Sequence, residues 1–162
     1  MWLYVLLGAV ALQRLAELMW SRRNTRRLLA RGGHEEGAAH YPLIVAVHAG
    51  WLVAMAVTIP PDTAPDTALI LVFLVLQACR LWVLFSLGDR WPTGIVILPG
   101  EPRLRRGPYR WLNHPNYLVV AAEIATLPLA FGAGTLALIF SILNALVLAI
   151  RIRKENQALS DA

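Results

Sequence analysis

Three stretches of this chain, Met1–Trp20, Pro42–Ile59 and Ala68–Leu87, are nearly unbroken apolar runs of 20, 18 and 20 residues. That is the length a helix needs to cross the ~30 Å hydrocarbon core of a bilayer. Inside hydrocarbon every backbone N–H and C=O has to be paired within the segment, so runs of this kind cross as helices. A fourth stretch, Tyr117–Ile150, stays apolar over 34 residues. As one helix it would extend roughly 50 Å at about 1.5 Å per residue, well beyond the core thickness. Pro128, Gly132 and Gly134 interrupt it near its middle. The pattern therefore predicts a hairpin of two antiparallel helices, Tyr117–Phe131 and Thr135–Ile150. Each reaches only about 22–24 Å, so protein must shield it in part or the bilayer must thin around it. The expected fold is an all-α integral membrane protein of five transmembrane helices, organised as one domain over residues 1–162.

Charge placement gives the orientation. Of the fifteen basic residues, five follow the first run (Arg22, Arg23, Arg26, Arg27, Arg31) and five follow the third (Arg90, Arg103, Arg105, Arg106, Arg110). Three more follow the last run (Arg151, Arg153, Lys154), and only Arg14 and Arg80 lie inside runs. The short loop Pro60–Thr67 has no Lys or Arg and carries Asp62 and Asp66. This is the positive-inside pattern of a membrane protein, with the N-terminus outside and the C-terminus cytosolic. It accounts for the sequence pI of about 10.1 without a nucleic-acid partner. Gln13, Arg14 and Glu17 inside the first run favour a retained helix over a cleaved signal peptide. The single cysteine, Cys79, permits neither an intramolecular disulfide nor a cysteine metal cluster.

On these grounds three segments share the inner face: Ser21–His40, the connector Gly88–Asn116 and the tail Arg151–Ala162. Within the connector, Ile95, Val96 and Ile97 suggest a short extended piece ahead of the Pro99-Gly100 turn. The segment Gly107–Tyr117 reads G-P-Y-R-W-L-N-H-P-N-Y. His114 precedes a proline and should stand at a helix entrance, with Pro115 in the first turn. The free N–H groups and dipole of such an entrance suit an anionic ligand, and Tyr109 and Tyr117 are placed to flank one. A capped helix start with interfacial aromatics would read the same way. Arg151 and Glu155 are four residues apart on one helix face, as a ligand-holding pair or as a solvated salt bridge.

The polar groups inside the runs are Gln13, Arg14, Glu17, His48, Gln77, Arg80, Glu123 and Asn144. Ionisable residues in a span face the bundle interior and pair. Gln13/Glu17 and Gln77/Arg80 have same-face spacing, and Glu17–Arg80 is the expected interhelix pair. Glu123 lies almost two turns beyond Tyr117, facing inward, and His48 either partners it or sits at a helix interface. No His, Asp or Glu grouping has metal-ligand spacing, and no phosphate loop, CxxC or G-x-S-x-G is present.

G-P-Y-x-x-x-x-H-P-x-Y at 107–117, an apolar hairpin, and R-x-x-x-E at 151–155 together resemble the isoprenylcysteine carboxyl methyltransferase family of integral-membrane, S-adenosylmethionine-dependent enzymes. The segments Q-R-L-x-E-L (13–18), R-R-N (22–24), H-Y-P (40–42) and L-G-D-R-W (87–91) resemble the bacterial branch that methylates long-chain polyketide phenols and pyrones. The resemblance implies a cytosolic site for S-adenosylmethionine, leaving as S-adenosylhomocysteine. Arg103 and Leu104 would line it through backbone, Tyr109 would form a side-chain wall, and His114, Pro115, Asn116, Tyr117 and Glu155 would hold the cofactor. Arg151 would attend the acceptor and the reacting centre, His48 would lie on the acceptor side, and Glu123, His48 or His114 would take the proton of a phenolic acceptor.

The sequence departs from the family pattern at Asn113, where an arginine is usual, at Asn156 in place of a second glutamate, and at Val119 in place of a glycine. These departures bear on transfer of the prenylcysteine substrate more than on the methyl-donor site. The implied function is O-methylation of a lipophilic acceptor, either a polyketide phenol or pyrone or an isoprenylcysteine-type carboxylate, in the bacterial cytoplasmic membrane among its lipids. The alternatives are methylation of a phospholipid amine and a non-catalytic membrane assembly or carrier protein.

Overall fold

The computed structural model describes residues 1–36, 41–97 and 105–160. Five helices account for most of them: α1 (Trp2–Ala30), α2 (Tyr41–Thr58), α3 (Thr67–Leu87), α4 (Pro115–Ala130) and α5 (Gly134–Ser160). Four are long and apolar enough to cross a membrane, and α4 is a shorter apolar helix. α3 starts where Asp66 caps it, the carboxylate accepting the Leu69 N–H at 3.0 Å. It stops at Gly88, whose φ of +54° no other residue adopts easily. α4 begins with His114 at the N-cap and Pro115 at the first helical position, as the His-Pro pair predicts. Its end differs slightly from expectation. Pro128 lies inside the last turn, and Gly132 at φ +72° makes the reversal into α5.

α1 and α5 run about ten residues further than the sequence reading allows, through Ser21–Ala30 and Arg151–Ser160. Hydropathy marks where the bilayer ends, whereas a helix ends only at a breaker. Arg22 to Ala30 contains none, and the chain turns only at Gly32-Gly33. At 29 and 27 residues these two helices are roughly 40 Å long, so their basic ends project well past a hydrocarbon core. α5 is therefore not the short helix expected. Only α4 is short, and protein covers it: Val119, Val120, Glu123, Ile124 and Leu127 are all buried against its neighbours.

The two ends of the bundle are distinct. At one, the Met1 amino group donates to Pro61 O and the Asp66 N–H donates to Ala130 O at 2.7 Å, drawing together the N-terminus, the acidic loop and the α4–α5 turn. At the other, β1 (His34–Glu36) pairs antiparallel with β2 (Ile95–Ile97), with Glu35 opposite Val96. The extended piece at 95–97 was expected; its partner strand was not. Asn24 Nδ2 donates to Gly88 O and Trp91 O, both at 3.0 Å, and Arg27 meets Asp89 at 3.2 Å. The R-R-N and L-G-D-R-W segments are thus each other's partners, fastening the connector to α1. Large apolar side chains such as Leu12, Met19, Val57 and Phe85 point outward, the arrangement lipid requires.

Candidate functional site

The G-P-Y turn is positioned by a close approach. Gly107 has φ +55°, and a Cβ there would lie 2.0 Å from Ser86 Oγ, so only glycine lets this turn sit against α3. Tyr109 is thereby carried half-buried to the same end of the bundle as α4's entrance and the C-terminal turns of α5. Burial pushes its hydroxyl above the ordinary tyrosine pKa, and nearby Tyr117 and Glu155 push the same way. The group stays a neutral O–H at physiological pH.

Tyr117, one turn into α4, is the hub. Its hydroxyl donates to Glu155 Oε2 at 2.5 Å and accepts from Arg151 Nε at 2.6 Å. The Arg151 guanidinium lies 5.5 Å from the centre of the Tyr117 ring, within cation–π range. Its Nη2 donates to Gly94 O at 3.3 Å, so the buried arginine is held from two sides. His114 stacks on the Tyr117 ring, 5.1 Å between centroids and 7° from parallel. Its Nδ1 lies 3.7 Å from Glu155 Oε1, an ion pair whenever the imidazole is protonated. Asn116 Oδ1 is buried without a partner, an acceptor awaiting a donor.

Five of the residues singled out in the sequence (Tyr109, His114, Tyr117, Arg151 and Glu155) are therefore brought together, with Pro115 and Asn116 in the same first turn of α4. Arg103 and Leu104 lie outside the described residues. Gly94 was missed, and no side-chain signal was available to find it, because it contributes a carbonyl.

Glu123 and His48 stand apart from this cluster. Glu123 is fully buried and accepts from Arg14 Nη2 at 2.6 Å, Gln77 Nε2 at 2.9 Å and Arg80 Nη1 at 3.2 Å. Arg80 also makes a two-pronged contact with Glu17, its Nε donating to Oε1 at 2.6 Å and its Nη2 to Oε2. Gln13 and Arg14 donate to the same Glu17 carboxylate at 3.0 and 3.4 Å. The expected Glu17–Arg80 pair is present as part of a wider lattice tying α1, α3 and α4 together, two arginines balancing two glutamates. His48 is half-buried on α2, and its Nδ1–H donates to Ile44 O at 2.8 Å.

The sequence profile of the isoprenylcysteine carboxyl methyltransferase (ICMT) family matches residues 68–161, more than half of the chain. An uncharacterised protein of Bacillus subtilis, YpbQ, is 36% identical, covering 98% of this chain and 96% of the relative. An uncharacterised protein of Haemophilus influenzae is 27% identical over 91% of this chain and 88% of its own length. No solved structure matches significantly. With the profile spanning α3 through the Tyr117–Arg151–Glu155 cluster, and four helices apolar enough to cross a bilayer, this chain belongs to the isoprenylcysteine carboxyl methyltransferase family and is an integral membrane protein of the methyltransferase class.

Proposed function

We propose that the chain is an S-adenosylmethionine-dependent O-methyltransferase acting on a lipophilic acceptor at the cytosolic face of a bacterial cytoplasmic membrane. The acceptor is a long-chain polyketide phenol or pyrone, or an isoprenylcysteine-type carboxylate. The observation that carries this reading is the convergence of Tyr109, His114, Tyr117, Arg151 and Glu155 where two spanning helices leave the apolar zone. The available groups fit the cofactor: Asn116 Oδ1 is an unpaired acceptor, Glu155 offers a carboxylate for an ammonium or hydroxyl, and Tyr109 and the stacked His114–Tyr117 pair offer aromatic faces. When bound, the cofactor supplies an electrophilic methyl on a sulfonium.

The protein's own work is alignment and exclusion of water. Glu155 and Asn116 hold the donor, and Tyr117 fixes Glu155. Arg151 presents a cation that orients a carboxylate or favours the ionised form of a phenol. A carboxylate acceptor needs no base. For a phenol, His114 is the candidate base that stands within the cluster, stacked on Tyr117 and beside Glu155, whereas His48 lies outside it with its Nδ1–H committed to Ile44 O. Glu123 serves as a positioning residue, since three donors already occupy its carboxylate.

His114→Ala, Tyr117→Ala and Glu155→Ala should each weaken S-adenosylmethionine binding roughly 10- to 150-fold, the loss of about 1.5–3 kcal/mol in hydrogen bonds to a charged ligand. Calorimetry in detergent measures this directly, and unchanged affinity in all three variants would remove the site assignment. The reading also requires five spans with the N-terminus outside. In a Cys79→Ser background, single cysteines at Thr63 and Lys154 should label from opposite sides of the membrane. Labelling from one side would take the cluster off the cytosolic face.

A further inference from the structure

A cavity of about 540 Å³ is lined by Leu18, Arg22, Thr25 and Arg26 of α1, by Glu35 of β1, by Gly94 and by Tyr41 at the start of α2. Its volume is that of a small-ligand site. Leu18, Arg22, Thr25 and Arg26 follow helical spacing, so they form one face of α1. Among the described residues, Arg22, Arg26 and Glu35 have no hydrogen-bond or ion-pair partner, whereas nearby Arg27 is bound to Asp89. Glu35 is seated by a glycine: a Cβ at Gly94 would come within 2.7 Å of Glu35 Oε1. The cavity thus presents two free guanidinium groups and one free carboxylate.

Depth fixes what such a set meets. The apolar run ends at Trp20, so Arg22 lies about 3 Å and Arg26 about 9 Å further along the axis, the level of lipid phosphates just outside the hydrocarbon core. Below them Leu12, Leu15 and Met19 are exposed along α1, a surface for acyl chains. Guanidinium pairs suit phosphate oxygens. Glu35 disfavours a second negative group and accepts hydrogen bonds from a primary ammonium. A quaternary ammonium has no N–H to give and is held by aromatic cages, and among the described residues Tyr41 is the lone aromatic in this wall.

We propose that this cavity binds the headgroup of an ethanolamine phospholipid, with its phosphate between Arg22 and Arg26 and its ammonium on Glu35. The inference does not depend on the methyl-transfer reading, because Arg22, Arg26 and Glu35 are not among the residues placed in that site. Only the pairing of phosphate with a primary ammonium is read from the walls. A soluble phosphate ester would share that chemistry, and the lipid is favoured by the depth of the arginines and the apolar face below them.

The test is thermal melting of the purified protein in detergent, titrated with short-chain phosphatidylethanolamine, phosphatidylcholine, phosphatidylglycerol and free O-phosphoethanolamine. Wild type should be stabilised most, and at the lowest concentration, by the ethanolamine lipid. The R22A/R26A double variant should need at least tenfold more of it. Glu35→Gln should bind the ethanolamine and glycerol lipids alike. Arg23→Ala, which removes a charge from outside the cavity wall, should match wild type, and the unliganded melting temperatures establish that each variant is folded. Equal response to ethanolamine and glycerol lipids in wild type, or an Arg23→Ala loss as large as the double variant's, would overturn the proposal. Free O-phosphoethanolamine binding as tightly as the lipid would overturn the lipid assignment in favour of a soluble ester.

Discussion

Arg151→Ala is expected to lower methyl-transfer turnover about 10²- to 10³-fold, the usual loss when a fixed electrostatic donor is removed from a reacting centre. The donor's affinity should fall much less, because Glu155 and Asn116 remain. Arg151→Lys is the sharper variant. The guanidinium reaches the Tyr117 hydroxyl through Nε and the Gly94 carbonyl through Nη2 at the same time. An ammonium keeps the charge, but a single point cannot span both acceptors. Lys should therefore also be impaired, by at least about tenfold if one such bond to a charged group is lost. Single-turnover transfer to a long-chain phenol and to a prenylated cysteine, alongside calorimetry of the donor, separates the two effects. Wild-type turnover in Arg151→Lys would make the residue a membrane-edge anchor, a role in which any cation serves.

The second large effect concerns stability. Glu123→Leu leaves Arg14 and Arg80 sharing Glu17 alone, with one positive charge uncompensated in the interior of the bundle. Breaking a buried pair by removing one partner costs about 3–5 kcal/mol. Melting in detergent should drop sharply, and activity should disappear with the fold. The combined variant Arg80→Met/Glu123→Leu removes one charge of each sign and leaves Arg14 with Glu17. It should recover most of the loss, since apolar replacements of a whole pair are often neutral. If the single variant melted like wild type, the lattice would not be holding the helices together. If the paired variant were folded but inactive, Glu123 would have a role beyond position.

The helices were legible in the sequence because bilayer thickness sets a length that apolar runs either meet or miss. Their true ends were less legible. Arg22–Ala30 and Arg151–Ser160 are helical because they lack breakers, and hydropathy is blind to that. The β1–β2 ribbon escaped notice because three residues are too few for alternation to register, and His34–Glu36 carries no β-forming side chain. At the site, the Arg151/Glu155 spacing and the His-Pro helix start could be read directly. Tyr117 bridging that pair, and Gly94 receiving Arg151, depend on how α4, α5 and the connector pack. The rule that ionisable residues in a span face inward and pair anticipated Glu17–Arg80. The Arg14–Glu123 contact spans 109 positions and had no local trace.

The lattice of charges also orders the protein's birth. α1 is synthesised first and carries Arg14 and Glu17 three residues apart with Gln13 beside them, so it enters the membrane with its charges already mutually satisfied. α3 then arrives with Arg80 alone, and α4 with Glu123 alone. Neither is content in lipid, and each finds its counter-charge only on helices already in place. Each unpartnered charge is satisfied at one register against the helices it meets, so the lattice selects how α3 and α4 align with α1.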